Sequence, residues 1–329
     1  MGNTKRTKEL TERIRTFAFD LGFEKVGFAS AQSPQQDVTH LEEWLRLGYN
    51  ATMNWMSKRK DERSDIQQYF PGAKSVVSLA MNYYHGDSSG NMKISNYAWG
   101  DDYHNVLKVR LIKLKEFVQE LCKDAKILIS VDTAPLMEKA WAQRAGLGWI
   151  GKHTNLISRD YGSWLFLGEL ILDCELTPDQ PFEDDLCGSC SACIDACPTN
   201  AIVQDYLLDS NKCISYLTIE HRGDLPKKYE TELNGWIYGC DICQNVCPWN
   251  EKFATKSKEN SFAPRARIME QSEESWSELN EDDFKKLFKR SSIKRTKFTG
   301  LSRNITACKR VIGIGSLMLI ISLQGTVKL

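Results

Sequence analysis

Eight of the eleven cysteines in this chain lie between Cys187 and Cys247. The first run is Cys187-x-x-Cys190-x-x-Cys193-x-x-x-Cys197-Pro198. Three thiols at three-residue spacing on a tight loop can converge on one iron–sulfur cubane. A fourth, just before a proline, points the other way. The second run is Cys240-x-x-Cys243-x-x-x-Cys247-Pro248, with Cys213 displaced upstream by an insertion. Zinc and a disulfide array are the competing readings. Zinc favours closed four-ligand sites and has no use for the C-x3-C-P element. Met1 to Arg15 is polar, with no apolar signal core and no twin arginine, so the thiols are expected in a reducing cytoplasm, where such spacing reads as metal binding.

The first run matches the bacterial ferredoxin pattern, in which the cysteine before proline ligates the other cluster. That pattern implies two [4Fe–4S] clusters. Cluster one takes Cys187, Cys190, Cys193 and Cys247. Cluster two takes Cys213, Cys240, Cys243 and Cys197. Cys122, Cys174 and Cys308 stand alone and read as ordinary thiols.

Such a relay needs a terminus, and the elements before it can supply one. Leu10, Ile14, Phe17 and Leu21 recur at helical spacing up to Gly22, and a strand follows at Lys25–Ala29. Further helices are expected at His40–Leu47, Val106–Leu121 and Lys139–Ala145. Further strands are expected at Ser75–Ala80, Ile127–Val131 and Ser163–Leu172. This alternation indicates an α/β (or α+β) unit over residues 1–180, too large for a plain electron carrier. A ferredoxin-like module over 181–255 and a short helical region over 256–329 complete the expected order. Gly146 to His153 has the glycine spacing of a phosphate loop, but His153 stands where a Ser or Thr would hold magnesium, and the match fails.

The 329 residues are 42% apolar and 26% charged, with zero formal net charge, so no global field favours a polyanion or a membrane. Locally, Glu270–Asp283 holds seven acidic and no basic residues, and Lys285–Arg310 holds ten basic and no acidic ones. The pair reads either as solvated helix faces or as a footprint for RNA. The apolar stretch from Ile312 to Leu323 is shorter than the roughly 20 residues that a membrane span requires.

Several stretches together resemble the epoxyqueuosine reductase family. They are Ser130-Val-Asp-Thr-Ala-Pro-Leu-Met-Glu-Lys-Ala-Trp, Ala145-Gly-Leu-Gly-Trp-Ile-Gly-Lys-His-Thr, Gly162-Ser-Trp-Leu-Phe-Leu-Gly-Glu, the double cysteine motif, and Cys213-Ile-Ser-Tyr-Leu-Thr-Ile-Glu. The resemblance runs from about residue 8 to about 305. It implies a cobalamin in the N-terminal unit. It also implies an oxidoreductase that removes the epoxide oxygen of epoxyqueuosine at the wobble position of a tRNA. The electrons would come from an unidentified donor, and a monomer is expected. The family's C-terminal helical repeat is largely absent here, since the chain changes character near Thr306.

The resemblance makes Asp132 the proton donor. From the residues alone, Asp132 reads equally as the N-cap of a helix beginning near Pro135. At the end of an apolar strand, its carboxyl is expected half-buried with a raised pKa. The resemblance also implies that Met53, Tyr97, Asp132, Trp141, Lys152, His153, Gly168, Ser215 and Tyr216 lie against the cofactor. His104 invites reading as a cobalt ligand, but Asp102-Tyr-His104-Asn-Val-Leu107 lacks the glycine that a D-x-H-x-x-G pattern requires. The cobalamin is therefore expected base-off with no histidine ligand. RNA contact is expected from Arg222, Lys285, Lys289, Arg290, Lys294, Arg295, Lys297 and Arg303, with salt-sensitive affinity.

Overall fold

The computed structural model describes residues 2–324, with side chains described for 5–310. The side chains of the apolar stretch from Ile312 lie outside the described residues.

Four strands form the central sheet: β1 (Lys25–Ser30), β2 (Ser75–Asn82), β3 (Ile127–Ser130) and β4 (Leu165–Leu172). Their order is β1-β2-β4-β3. The alternation of helix and strand is as the sequence indicates, but every pairing is antiparallel, which makes the unit α+β and not a parallel α/β sheet. Periodicity reports where strands lie and is silent on their direction.

Both faces of the sheet are buried. On one face, the helices Gly2–Asp20 and Tyr103–Leu121 cover Phe28, Val77, Leu79, Leu170 and Leu172. Leu107, Leu111, Leu114 and Val118 recur at helical spacing and are fully buried. On the other face, the helix Glu138–Arg144 sets Trp141 and Ala142 against Val76, Ala80 and Ile171.

A separate apolar cluster joins Ile94, Ala98 and Trp99 to Trp236–Tyr238 and to Phe284, Phe288, Ile293 and Leu301. The segments expected from the sequence thus share a core. The basic helix Lys297–Gln324 is anchored here by Asn304, whose amide donates to the carbonyls of Thr218 and Ile237 (2.9 Å each). Among the described residues, no helix is long and apolar enough to cross a membrane.

Cys122, Cys174 and Cys308 are free thiols, as expected, and two of them are neighbours. Cys122, after the helix Tyr103–Leu121, and Cys174, after β4, meet with their sulfurs 3.1 Å apart. They stand 52 positions apart in the chain, so linear spacing gives no hint of the contact.

Candidate active site

A cleft of about 2460 Å³ opens between the sheet unit and the cysteine-rich segment. Single small-ligand pockets hold roughly 300–1,000 Å³, so this one has room for a large cofactor together with part of a second molecule. Met53, Tyr97, Asp132, Ser215 and Tyr216 line it, as do Cys213, Tyr103, His104 and Glu138.

The helix Tyr103–Leu121 begins at this cleft because Asp102 caps it, its carboxylate accepting from the His104 backbone N–H at 3.1 Å. The first turn therefore presents Tyr103 and His104. His104 Nδ1 lies 2.7 Å from Asp102 Oδ1, and His104 Nε2 lies 3.2 Å from Asp132 Oδ2. The Tyr103 ring stacks between His104 (4.1 Å) and Phe166 (4.3 Å).

Asp132 follows β3 directly, with φ at 57°, in the left-handed region that aspartate tolerates better than most residues. It is no helix cap. The next helix starts at Glu138, and its cap position is Met137. One further expectation about it, the raised pKa, is corrected. Its side chain is 58% exposed and open to the cleft. Enclosure pushes its pKa up, but the hydrogen bond and charge of His104 outweigh this and hold it below the ordinary carboxylate value. His104 moves the opposite way: burial lowers it, the bonds to Asp102 and Asp132 raise it, and the net value is about 9. The proton at neutral pH thus rests on His104, between two carboxylates. The sequence shows the Asp-x-His spacing, but nothing in it says that Asp132 approaches from 28 residues away.

Other expected contacts divide. The Tyr216 hydroxyl accepts from the Thr52 backbone N–H at 3.1 Å and meets Thr52 Oγ1 at 2.6 Å, which fixes the loop carrying Met53. The Tyr97 hydroxyl donates to Tyr238, which donates to the Ser292 carbonyl. Trp141, Lys152, His153 and Gly168 are off the cleft wall. Trp141 is 1% exposed in the core. Lys152 pairs with Asp205 at 3.0 Å. His153 is buried, and burial lowers its pKa to about 4. Gly168 faces Leu111 and Leu107, where an added Cβ would lie 3.1–3.4 Å from their methyls. Their motif positions reflect packing around the site.

The basic residues divide as well. Lys289, Arg290, Lys294 and Arg295 line the cleft. Arg295 is held by Glu220 (2.8 and 3.1 Å) and lies over the half-exposed Trp55 ring at 5.4 Å. Arg222 and Arg303 are instead spent on backbone carbonyls: Arg222 on Ile219 and Arg295, Arg303 on Leu217, His221 and Gly223. Lys285 pairs with Glu281 and Asp282 on its own helix, the solvated-face reading of that charge run. Lys297 is exposed at φ 63° and is not on the cleft wall.

The eight thiols influence one another in two sets. Cys193 is pushed up to about 11 by burial and by Cys187, Cys247 and Cys190. Cys240 is raised by burial, Cys243 and Cys213, while burial and Cys197 raise Cys213. Cys243 feels Cys213 and Cys197, and also Cys193, so the two sets are neighbours. Among the described residues, no three metal-binding side chains converge around a single ion. A cubane spreads its four ligands more widely than a lone zinc does. Cys213 lies on the cleft wall, whereas Cys190 is exposed to solvent.

Residues 186–250 match the 4Fe-4S double cluster binding domain, and residues 63–133 match the family described as epoxyqueuosine reductase QueG, DUF1730. The chain is 44% identical over 309 residues to the epoxyqueuosine reductase of Cellulophaga algicola, covering 93% of this chain and 100% of that one. A crystal structure of epoxyqueuosine reductase with an epoxyqueuosine-modified tRNA-Tyr stem loop superposes with a TM-score of 0.85 at 30% identity, covering 92% of this chain and 81% of that one. The Bacillus subtilis enzyme, with its catalytic aspartate loop swung out of the active site, superposes at 0.82 and 28% identity, covering 92% and 82%.

Proposed function

The chain belongs to the epoxyqueuosine reductase family, and from that premise we propose that it reduces epoxyqueuosine to queuosine at the wobble position of a tRNA, with Asp132 and His104 supplying protons in the cleft. The observation that carries the reading is the Asp102–His104–Asp132 chain. It sets one mobile proton at the wall of a cleft that also meets a cluster ligand, Cys213.

Opening the epoxide and losing its oxygen as water takes two electrons and two protons. Asp132 presents its carboxylate to the cleft, and His104 holds a proton behind it. When negative charge develops on the departing oxygen, Asp132 passes that proton on, and Asp102 steadies the imidazolium that refills it. Tyr103 keeps the His104 ring in plane by stacking.

Cobalamin fits the same cleft, walled by Met53, Tyr97, Ser215 and Tyr216, and would supply the strongly reducing metal centre that epoxide cleavage needs. Both ring nitrogens of His104 are engaged by carboxylates, which leaves His104 no free nitrogen to offer a metal. The two thiol sets support cluster one on Cys187, Cys190, Cys193 and Cys247, and cluster two on Cys197, Cys213, Cys240 and Cys243. Cluster one would face solvent on the exposed Cys190 side, and cluster two would stand at the cleft wall beside Cys213, where the pair would relay electrons one at a time. Lys289, Arg290, Lys294 and Arg295 meet the RNA backbone, and the unstacked wobble base enters between them and Asp132.

The test is anaerobic reconstitution with iron, sulfide and cobalamin, followed by a single turnover on tRNA carrying epoxyqueuosine, read by nucleoside mass spectrometry. Loss of one oxygen mass, dependent on cobalamin, is expected. Unconverted RNA in the presence of full clusters and bound cobalamin would transfer the reading to a small-molecule substrate.

A further inference from the structure

Two carboxyl groups behind Asp132 have no part in the chemistry above. Glu169 sits on β4, opposite Ser130 of β3, and is 0% exposed. Neither of its carboxyl oxygens meets a hydroxyl, an amide or a cation. Its neighbour is Glu138, the first residue of the helix after the Asp132 loop. Glu138 Oε1 accepts the Asp132 backbone N–H at 2.5 Å and the Ser130 hydroxyl at 3.4 Å. Among the described residues, no ion pair reaches either glutamate. Lys139, next in sequence, gives its ammonium to the Thr154 carbonyl and to Asn155 Oδ1. The other titratable groups facing the pair are Asp132, which is anionic, and Tyr103.

Two carboxylates in contact, Glu169 fully buried and Glu138 partly so, with no ion-pair partner for either, do not both ionise readily near neutral pH. We propose that Glu138 and Glu169 share a proton and that this bond sets the carboxyl of Glu138 to hold the Asp132 amide, so that the pair are positioning residues for the proton donor. The proposal rests on the reading of Asp132 as that donor. Its geometry needs no substrate.

The coupling runs through the backbone. Asp132 is held at φ 57°, and the turn is tightened by the Thr133 N–H donating to the Val131 carbonyl at 2.6 Å. A left-handed aspartate costs energy, and it persists where its surroundings fix it. The bond to Glu138 is the fixing contact for its amide. Burial and the charge of Asp132 raise the pKa of Glu138, and burial and the charge of Glu138 raise that of Glu169, which keeps one proton in the pair across the neutral range. Removing that last proton leaves two facing anions beside Asp132. Glu138 then turns toward water, the Asp132 amide is released, and the loop is free to leave the cleft.

The test is amide hydrogen exchange of the 131–137 segment in the anaerobically reconstituted enzyme, without RNA, from neutral to alkaline pH and corrected for intrinsic chemistry. In the wild type, protection of the Asp132 amide should fall by about tenfold or more as the pair loses its last proton. Glu169→Gln supplies a donor that does not titrate, so protection should persist through the same range. Glu138→Gln should do the same, its amide oxygen still accepting the Asp132 N–H, and it serves where the first variant folds poorly. Protection that is flat with pH in the wild type would overturn the proposal. So would an equal alkaline loss in the wild type and both Gln variants. Neither outcome depends on turnover, so a failure of the tRNA reading would be seen separately in the conversion assay.

Discussion

At the scale of single residues, the site is a matter of where one proton resides. Asp132 at its ordinary pKa would be a poor acid at pH 7, and His104 depresses it further. In the proposed role it would donate only because His104, raised to about 9, stands behind it as the store. Asp132→Asn should bind cobalamin and tRNA and lose about 10²–10⁴ in single-turnover rate. Full rate in that variant would remove Asp132 as the donor. The pH dependence has a definite sign. His104 is raised in the folded state, so its contribution to stability is fully present below about 6.5 and is lost as pH rises through about 9. The single-turnover rate should therefore hold from neutral pH and fall above about 9. In His104→Gln that alkaline fall should move or vanish, with a lower plateau. An identical limb in both proteins would assign it to another group.

At the scale of elements, the cluster loops are legible in the sequence and the proton chain is not. Cysteine spacing is short-range information: Cys187 to Cys197 lies on one loop, and three-residue steps suffice to name the chemistry. Asp132 stands out because a strand ends there. His104 is visible as a residue, but its role needs β3 and the capped helix Tyr103–Leu121 to be neighbours, and no local pattern states that. Trp141, Lys152, His153 and Gly168, which lie off the cleft wall, illustrate the converse. Residues that shape a site from behind carry the same motif signal as those that touch it. The same distinction gives a prediction for the basic run. Arg303 bonds three carbonyls from Leu217 to Gly223 and so clamps the segment after Cys213. Arg303→Ala should cost about 0.5–1.5 kcal/mol of stability, measured by denaturant unfolding, through the loss of these part-buried and exposed hydrogen bonds. An unchanged midpoint combined with weakened tRNA binding would return Arg303 to the RNA surface. Cys193→Ser should lower bound iron and stop electron delivery while leaving the far thiol set loaded, as read by iron content and electron paramagnetic resonance. Unchanged iron would undo its assignment.

At the scale of the whole molecule, zero net charge conceals a directional field. The cleft wall carries Lys289, Arg290, Lys294 and Arg295, and also Glu183, Asp184, Asp185 and Asp205. On the proposed function, a polyanion would be drawn to the basic group and repelled from the acidic one. Counterion release then governs affinity. Removing one cation that neutralises a phosphate should reduce the slope of log affinity against log salt by about 0.7–0.9. Arg290→Gln and Lys294→Gln together should weaken tRNA binding and flatten that slope by nearly twice as much. Lys285→Gln should leave it unchanged, because Lys285 is off the cleft wall and is balanced by Glu281 and Asp282 on its own helix, whereas Arg290, though paired with Asp101, faces the cleft. The measurement is a salt titration of Kd with unmodified tRNA, so the result does not depend on turnover. A slope that responds to Lys285 as strongly as to Arg290 would mean that RNA follows the outer helix face and not the cleft. In that case the wobble base would have no continuous electrostatic path to the proton chain.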